Sequence, residues 1–169
     1  MHYSNRKTFQ NLLCGTGITI FPQDRRYTYG TDFTVTVEFE GQSVTLYVTK
    51  RPFLDEFLEA MADKFEIGIF TASLQEYAEK VVQQIDPESR IKWRLCRDSC
   101  STHKGYTVKN LELVPRSLPR TIIIDDKEVS FMLQHYNGIQ CVPFGGGPDD
   151  TVRNFGSFQS SVEVREYKE

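Results

Sequence analysis

Apolar residues recur along this chain with two different periods, and the change between the periods separates the predicted elements. Between residues 33 and 48 every second residue is apolar on either side of Glu40-Gly41-Gln42, which predicts a β-hairpin with one apolar face. In residues 53–65 and 74–85 apolar side chains recur three and four positions apart. This spacing predicts two amphipathic helices, each of which needs a sheet to cover its apolar face.

Local signals predict where the two helices begin. Pro52 suits the first position of the first helix, because proline lacks the N–H that a helix start leaves unsatisfied. Ser73 followed by Glu76 forms a capping box, which predicts that the second helix begins directly after Thr71. The free N–H groups of that helix and the Thr71 hydroxyl would then face a crevice at the strand ends, where an anion fits.

Four short runs of apolar residues predict buried strands between and after the helices. The runs are residues 67–70, 91–95, 121–124 and 139–142. Because strands and helices alternate, we expect an α/β domain with a mostly parallel sheet and with the hairpin of residues 32–49 inserted before the first helix. Ahead of Gly30 only residues 18–21 are predicted to form a strand. Residues 150–169 are expected to form an irregular ending.

Asp125 and Asp126 follow the predicted strand 121–124 and are the main candidates for a metal site. Adjacent carboxylates repel each other, and a hard cation such as Mg²⁺ would relieve the repulsion because it prefers oxygen ligands. The alternative is an exposed acidic turn. Parallel strands end at one crevice, so we expect Thr71 and the Asp125-Asp126 pair to meet there, near Lys109 of the polar segment 97–110. These are ingredients of phosphoryl transfer, but a nucleophile is missing.

Composition narrows the functional classes. With 169 residues, 39% hydrophobic and 25% charged, the chain suits one globular domain, and a net charge of −3 without a basic block argues against direct nucleic-acid binding. There is no apolar run of membrane-spanning length and no signal peptide at Met1, so we expect a soluble chain. Four sparse cysteines favour reduced thiols in the nucleus or cytoplasm. Cys96, Cys100 and His103 form an incomplete zinc set, and free loop residues are the preferred interpretation.

Six segments resemble the FCP1-homology (NIF) phosphatases of the haloacid dehalogenase superfamily, and most of all the small phosphatases of the RNA polymerase II C-terminal domain. The segments are DFTVTVEFEG at Asp32, KRPFLDEFL at Lys50, FEIGIFTASLQEYA at Phe65, RDSC at Arg97, YTVKNL at Tyr106 and TIIIDD at Thr121. The resemblance implies a single Rossmann-like domain over residues 1–169 with helices on both faces of its sheet. It also implies Mg²⁺-dependent hydrolysis of phosphoserine or phosphothreonine through an aspartyl-phosphate.

The resemblance also implies roles for individual residues. Thr71 would hydrogen-bond the phosphoryl group, Lys109 would neutralise it, and Asp126 would bind Mg²⁺ with Asp125 as the orienting carboxylate. The implied substrate contacts are Arg97, Ala72 and Ser73. An apolar pocket for a proline next to the phosphoserine would consist of Val37, Phe39, Leu46, Leu74 and Tyr77. The implied partner is a phosphoprotein, such as the Ser-Pro-rich repeats of RNA polymerase II.

The N-terminal part departs from the family pattern. Family members begin with an apolar strand ending in DxDx(T/V), whose first Asp is the nucleophile, and this sequence contains no such motif. We expect residues 1–31 to be divergent and the chain to begin just after the catalytic strand, so that it would be weakly stable and inactive. One alternative is that residues 18–21 replace this strand, with Asp24 as nucleophile. Another is a phosphoprotein-binding pseudophosphatase or an interaction domain similar to the mitochondrial translocase subunit Tim50.

Overall fold

The structure, a computed structural model, describes residues 30–145 in full and, before them, the backbone of two short strands. The strands are β1 (Asn11–Cys14), β2 (Ile18–Phe21), β3 (Phe33–Phe39), β4 (Gln42–Lys50), β5 (Glu66–Phe70), β6 (Ile91–Leu95), β7 (Ser101–His103), β8 (Tyr106–Val108), β9 (Thr121–Asp125) and β10 (Gly138–Gln140). The helices are α1 (Leu54–Ala62) and α2 (Gln75–Ile85). Short 3₁₀ segments are Arg97–Ser99, Leu111–Leu113, Leu118–Arg120 and Glu128–Asn137.

The main sheet has five strands in the order β10-β9-β1-β5-β6, and all of its pairings are parallel. This confirms the predicted parallel sheet and the four predicted strands, although the last of them, β10, begins one residue earlier and ends two residues earlier than residues 139–142. All five strands therefore end at the same edge of the sheet. Ligands of open α/β sheets bind at this edge.

The prediction that the central strand is missing is wrong, because β1 occupies the middle of the main sheet. Cys14 is paired in register with Ile69 of β5 and with Ile124 of β9. The sequence signal was weak, since only Leu12 and Leu13 are adjacent apolar residues in a polar segment. Pairing with strands more than fifty positions away forms β1, and no local pattern reports such pairing.

Residues 18–21 do form a strand, as predicted, but this strand does not replace the catalytic one. β2 belongs to a second sheet of order β2-β4-β3, where it pairs antiparallel with β4. The alternative in which β2 supplies the central strand is therefore wrong. Asp24, the nucleophile of that alternative, lies outside the described residues, as do residues 150–169.

The β3–β4 hairpin is confirmed. Glu40 and Gly41 both have positive φ, 51° and 75°, which matches a two-residue turn whose twist suits the flanking strands. On the face predicted to be apolar, Val35, Val37 and Val48 are buried in the core. The hairpin therefore packs on the domain and extends its core.

Buried side chains form two clusters on opposite faces of the main sheet. In β9, Ile122 and Ile124 belong to the first cluster and Ile123 to the second, because successive strand residues point to opposite faces. The first cluster also contains the buried faces of α1, α2 and the hairpin. The second contains Leu111 and Phe131 of the 3₁₀ segments. Both faces are covered, but regular α-helices cover only the first among the described elements.

Both predicted helix starts are wrong by a few residues. α1 begins at Leu54, and Phe53 before it has a left-handed φ of 63°, so Pro52 lies outside the helix. α2 begins at Gln75 without a side-chain cap, because the Ser73 N–H donates to Thr71 Oγ1 at 3.1 Å in a local turn. Such side-chain turns compete with helical hydrogen bonding. Within the described residues, no helix has the length and hydropathy to cross a membrane.

Gly68 of β5 allows the Trp93 ring to lie directly on the strand. Ile91 and Trp93 of β6 pack into different clusters because the pairing of β5 with β6 is shifted by a bulge at this point. A Cβ atom at Gly68 would lie 2.6 Å from the Trp93 ring. Trp93 is a packing residue, and its indole N–H donates to Glu66 Oε1 at 2.7 Å.

We predict that Gly68→Ala lowers the free energy of unfolding by about 1–3 kcal/mol, because the added methyl overpacks the Trp93 contact. Urea denaturation followed by the fluorescence of the single tryptophan measures the change. Gly145→Ala is the matched control, since a Cβ atom there meets nothing within 4 Å. Equal stability of the two variants would contradict the prediction.

Candidate functional site

The ends of β5 and β9 flank the end of β1. Because Ile69, Cys14 and Ile124 lie level in neighbouring strands, the residues that follow β5 and β9 are about 10 Å apart, two strand spacings. Thr71 follows β5 directly, and Asp125 and Asp126 stand at the end of β9. The structure thus places the threonine and both acids at one edge of the sheet, as the sequence predicted.

Thr71, Ala72 and Ser73 form a tight turn that is held against the loop after β6. The Thr71 N–H donates to Leu95 O at 2.8 Å, and the Ser73 N–H donates to Thr71 Oγ1 at 3.1 Å. The exposed Arg97 donates from its backbone N–H to Ser73 O at 3.0 Å and from Nε to Ala72 O at 2.8 Å. Since Thr71 Oγ1 accepts a bond, its hydroxyl hydrogen remains a donor for an oxygen ligand.

Lys109 and Asp125 form a buried ion pair at the β9 side of this edge of the sheet. Their side chains are only 8% and 2% exposed, and Lys109 Nζ donates to Asp125 Oδ2. Asp125 Oδ1 accepts from the Lys127 N–H at 2.9 Å, so both carboxylate oxygens have partners. The Lys109 N–H donates to Ser130 O at 2.6 Å. Lys109 was predicted to be part of a polar loop, but the β7–β8 hairpin instead carries it into the interior.

Cys100 was not predicted to belong to the site, yet it lies between its two halves. Its single thiol hydrogen has two acceptors within reach, Thr71 O at 3.7 Å and Cys96 O at 3.8 Å from Sγ. Burial raises the pKa of the Cys100 thiol, while the charges of Lys109 and Arg97 oppose the increase. The thiol is therefore a packing group near two cations, and the segment RDSC was its only sequence signal. Cys96 and Cys100 are free thiols, and residues 30–145 contain no cluster that could hold zinc.

Asp126 is the partly exposed member of the acidic pair. Burial raises the pKa of Asp126, and the charge of Asp125 and a hydrogen bond with Asp125 raise it further. A nearby cation would relieve this repulsion. In residues 30–145 no three His, Cys, Asp or Glu side chains converge as metal ligands, and both Asp125 oxygens are already engaged. The described residues therefore fit one corner of a Mg²⁺ site, with Asp126 as its carboxylate.

The five residues predicted to line an apolar pocket have mixed environments. Val37 and Tyr77 are buried, Leu46 is half-buried, and all three belong to the first core cluster. Phe39 and Leu74 are 50% and 39% exposed. Among the described residues the Tyr77 hydroxyl is buried without a hydrogen-bond partner, and burial raises its pKa. The structure thus packs three of the five residues into the core and leaves Phe39 and Leu74 exposed, and the pocket itself stays a prediction.

The fold that carries this site matches that of known phosphatases. The chain superimposes on the structure of Fcp1, an essential RNA polymerase II CTD phosphatase, with a TM-score of 0.68 and 23% identity, over 82% of this chain and 43% of that one. Fission yeast Fcp1-R271A bound to beryllium fluoride matches with a TM-score of 0.64 and 21% identity, over 83% of this chain and 43% of that chain. These matches define the class at the level of the fold, an α/β domain with the architecture of Fcp1.

Sequence comparison identifies the family. Residues 18–163 match the profile described as NLI interacting factor-like phosphatase. A probable C-terminal domain small phosphatase of Dictyostelium discoideum is 45% identical over 119 residues, 70% of this chain and 39% of that protein. Human carboxy-terminal domain RNA polymerase II polypeptide A small phosphatase 2 is 41% identical over 64% of this chain and 40% of that protein. The chain belongs to the NLI interacting factor-like phosphatase family, and it spans less than half the length of these relatives.

We predict that Lys109→Met destabilises the protein by about 3–5 kcal/mol, because it leaves the buried Asp125 carboxylate without its cation. The double variant Lys109→Met, Asp125→Asn should recover part of this loss. Lys50→Met is the control, since Lys50 forms a more exposed ion pair with Asp55 and its loss should cost less than about 1 kcal/mol. Urea denaturation at neutral pH measures all three, and similar losses for Lys109→Met and Lys50→Met would contradict the prediction.

We predict that Asp126→Asn stabilises the metal-free protein at neutral pH and that the gain disappears in acid. The pKa of Asp126 is higher in the folded than in the unfolded protein. The cost of the charged carboxylate is therefore absent below the unfolded pKa of about 4 and complete above the folded pKa. Unfolding titrations of both proteins between neutral and acidic pH measure the difference. A gain that stays constant with pH would show that the asparagine acts in another way.

Proposed function

We propose that this chain carries the phosphate-binding side of a Mg²⁺-dependent protein serine/threonine phosphatase site, and that the chain itself lacks the nucleophile. One arrangement supports this proposal most strongly. Thr71 and Arg97 stand on one side of the central strand β1, and the Lys109–Asp125 pair with Asp126 stands on the other, at the same edge of the sheet.

Each side chain has a defined part in this proposal. The Thr71 hydroxyl donates to a phosphoryl oxygen, and Arg97 offers the guanidinium N–H groups that do not bind Ala72 O. The Lys109 ammonium has three N–H donors and gives one to Asp125, so its others can reach phosphate. Asp125 holds the lysine in place. Asp126 would bind Mg²⁺, which when present neutralises charge on the phosphoryl group.

The proposal that the nucleophile is missing rests on the sequence of β1 and of the residues that follow it. An aspartyl-phosphate requires an aspartate next to the phosphate-binding groups. From Asn11 to Gln23 the sequence contains neither Asp nor Glu. The chain is therefore expected to bind phosphate at its sheet edge without hydrolysing phosphate esters at a phosphatase rate.

The proposed ligand is a phosphoprotein segment that contains phosphoserine followed by proline. Two of the relatives are phosphatases named for the C-terminal domain of RNA polymerase II. In this chain Phe39 and Leu74 are exposed apolar residues, and in the proposal they form the apolar rim of a pocket that receives the proline ring. The absence of acids from 11 to 23 also supports a second function, in which the chain is a phosphoprotein-binding pseudophosphatase or an interaction domain.

We predict that inorganic phosphate, with Mg²⁺ present, raises the melting temperature of the 169-residue chain by binding the folded state. Thr71→Val should weaken phosphate binding roughly tenfold, because a hydrogen bond to a charged ligand is lost. Lys50→Met is the control for a change of charge away from the site. Calorimetric titration and melting curves measure the effect. No binding by the wild-type chain would overturn the proposal.

We further predict that this chain does not hydrolyse p-nitrophenyl phosphate, with or without Mg²⁺. The expected reason is that residues 11–23, which form β1 and follow it, contain no aspartate that could form the covalent intermediate. Release of p-nitrophenol measures the reaction. Mg²⁺-dependent hydrolysis that is lost in Thr71→Val would show that another residue of this chain supplies the nucleophile, and phosphate binding without hydrolysis would support the proposal.

A further inference from the structure

β3 is one of the two edge strands of the described three-stranded sheet, and α2 lies along its open side. Edge strands carry backbone N–H and C=O groups without a neighbouring strand. Here two side chains of α2 bind these groups directly. The Glu38 N–H donates to Glu76 Oε1 at 3.4 Å, and Lys80 Nζ donates to Thr36 O at 2.6 Å. We call these four residues the edge clamp.

The chemistry of the edge clamp depends on which residue is acid and which is base. Lys80 Nζ also donates to Glu76 Oε1 at 2.6 Å, as an i,i+4 ion pair of the helix. The carboxylate faces a backbone donor and the ammonium faces a backbone acceptor. The hydrogen bond with Lys80 lowers the pKa of Glu76, and the Glu38 N–H adds to the effect. Exchanging the two residues would keep the ion pair but would set donor against donor and acceptor against acceptor.

The edge clamp lies where the hairpin meets the rim of the proposed pocket. Phe39 follows Glu38 directly, and Leu74 lies two residues before Glu76 at the start of α2. Tyr77, next to Glu76, packs with Val37 in the core and keeps its hydroxyl without a hydrogen-bond partner among the described residues. A shift of the hairpin along α2 would therefore change the distance between Phe39 and Leu74, the two exposed apolar residues of the proposed rim.

We propose that Glu76 and Lys80 are positioning residues for substrate selection, because they hold the β3–β4 hairpin against α2 and so fix the distance between Phe39 and Leu74. The inference rests on the proposed function, since it concerns the residue that follows the phosphoserine. The edge clamp does not touch phosphate. It acts through the hairpin on the apolar contact and leaves the phosphate contacts of Thr71 and Lys109 unchanged.

The decisive variant exchanges the two residues, Glu76→Lys with Lys80→Glu. It retains an i,i+4 ion pair on α2 and the same net charge, but it loses both bonds to β3. Binding is measured by fluorescence anisotropy for two phosphopeptides that differ only in proline or alanine after the phosphoserine. Calorimetry with inorganic phosphate measures the affinity of the phosphate site separately. We expect the preference for proline to fall roughly fivefold, the effect of losing modest exposed hydrogen bonds, with phosphate affinity unchanged.

Two further variants separate a positioning role from a general effect on the helix. Glu76→Gln keeps an amide oxygen that can accept from the Glu38 N–H, so it should retain most of the preference. Gln75→Ala removes another i,i+4 hydrogen bond of α2, between Gln75 Nε2 and Glu79 Oε1 at 2.7 Å, and should leave the preference intact. If the exchanged variant does not fold, Glu76→Leu takes its place in the same assays, since it removes the acceptor of the Glu38 N–H and the ion pair with Lys80.

The possible results distinguish this inference from the proposed function. Loss of the proline preference with normal phosphate binding supports the edge clamp. An unchanged preference in the exchanged variant overturns the edge clamp and leaves the proposed function standing. A wild-type chain that binds phosphate without preferring proline overturns both the edge clamp and the proposed proline contact, and leaves only the proposed phosphate site. A wild-type chain that does not bind phosphate overturns the proposed function, and the inference fails with it.

Discussion

The buried ion pair of Lys109 and Asp125 is the interaction on which the candidate site depends. Two charges this well buried are stable only when they are paired and their remaining hydrogen-bonding groups are satisfied. The pair therefore fixes the end of β8 relative to the end of β9. It also fixes where the lysine ammonium can point. A side chain proposed to bind phosphate is thus held by the folding requirement itself and does not depend on a flexible loop.

The same edge of the sheet contains two differently built halves. The turn around Thr71 is held by hydrogen bonds to Leu95 O and from Arg97. Around Asp125 the structure is held by the ion pair with Lys109. The Cys100 thiol lies 3.7 Å from Thr71 O and is close enough to Lys109 and Asp125 for their charges to act on its pKa. Preorganised donors of this kind favour anion binding because they need little rearrangement when the ligand arrives. Asp126, at the end of β9, is partly exposed, so a cation can approach its carboxylate.

The central strand determines which chemistry this site can perform. β1 completes the parallel sheet and supplies backbone hydrogen bonds on both sides, so the architecture of the family is retained. Hydrogen bonding of a strand does not depend on its side chains, and Asn11–Cys14 can pair as well as an acidic strand end would. The backbone of β1 can therefore complete the sheet whether or not its side chains include a nucleophile. A family fold with conserved architecture is compatible either with hydrolysis or with binding alone, and only the side chains beside β1 distinguish the two.

The sequence by itself determined the regular elements and the family. Periodicity predicted both helices, the hairpin and four strands of the main sheet, because these elements bury continuous apolar faces that leave a local pattern. The motifs around Thr71 and Asp125 also indicated where the site lies. Tertiary structure alone decided that residues 11–14 form the central strand, that Lys109 is buried, that Cys100 joins the site and that Glu76 binds β3 and does not cap its helix. Each of these depends on partners distant in sequence, whose contacts form only when the chain is folded.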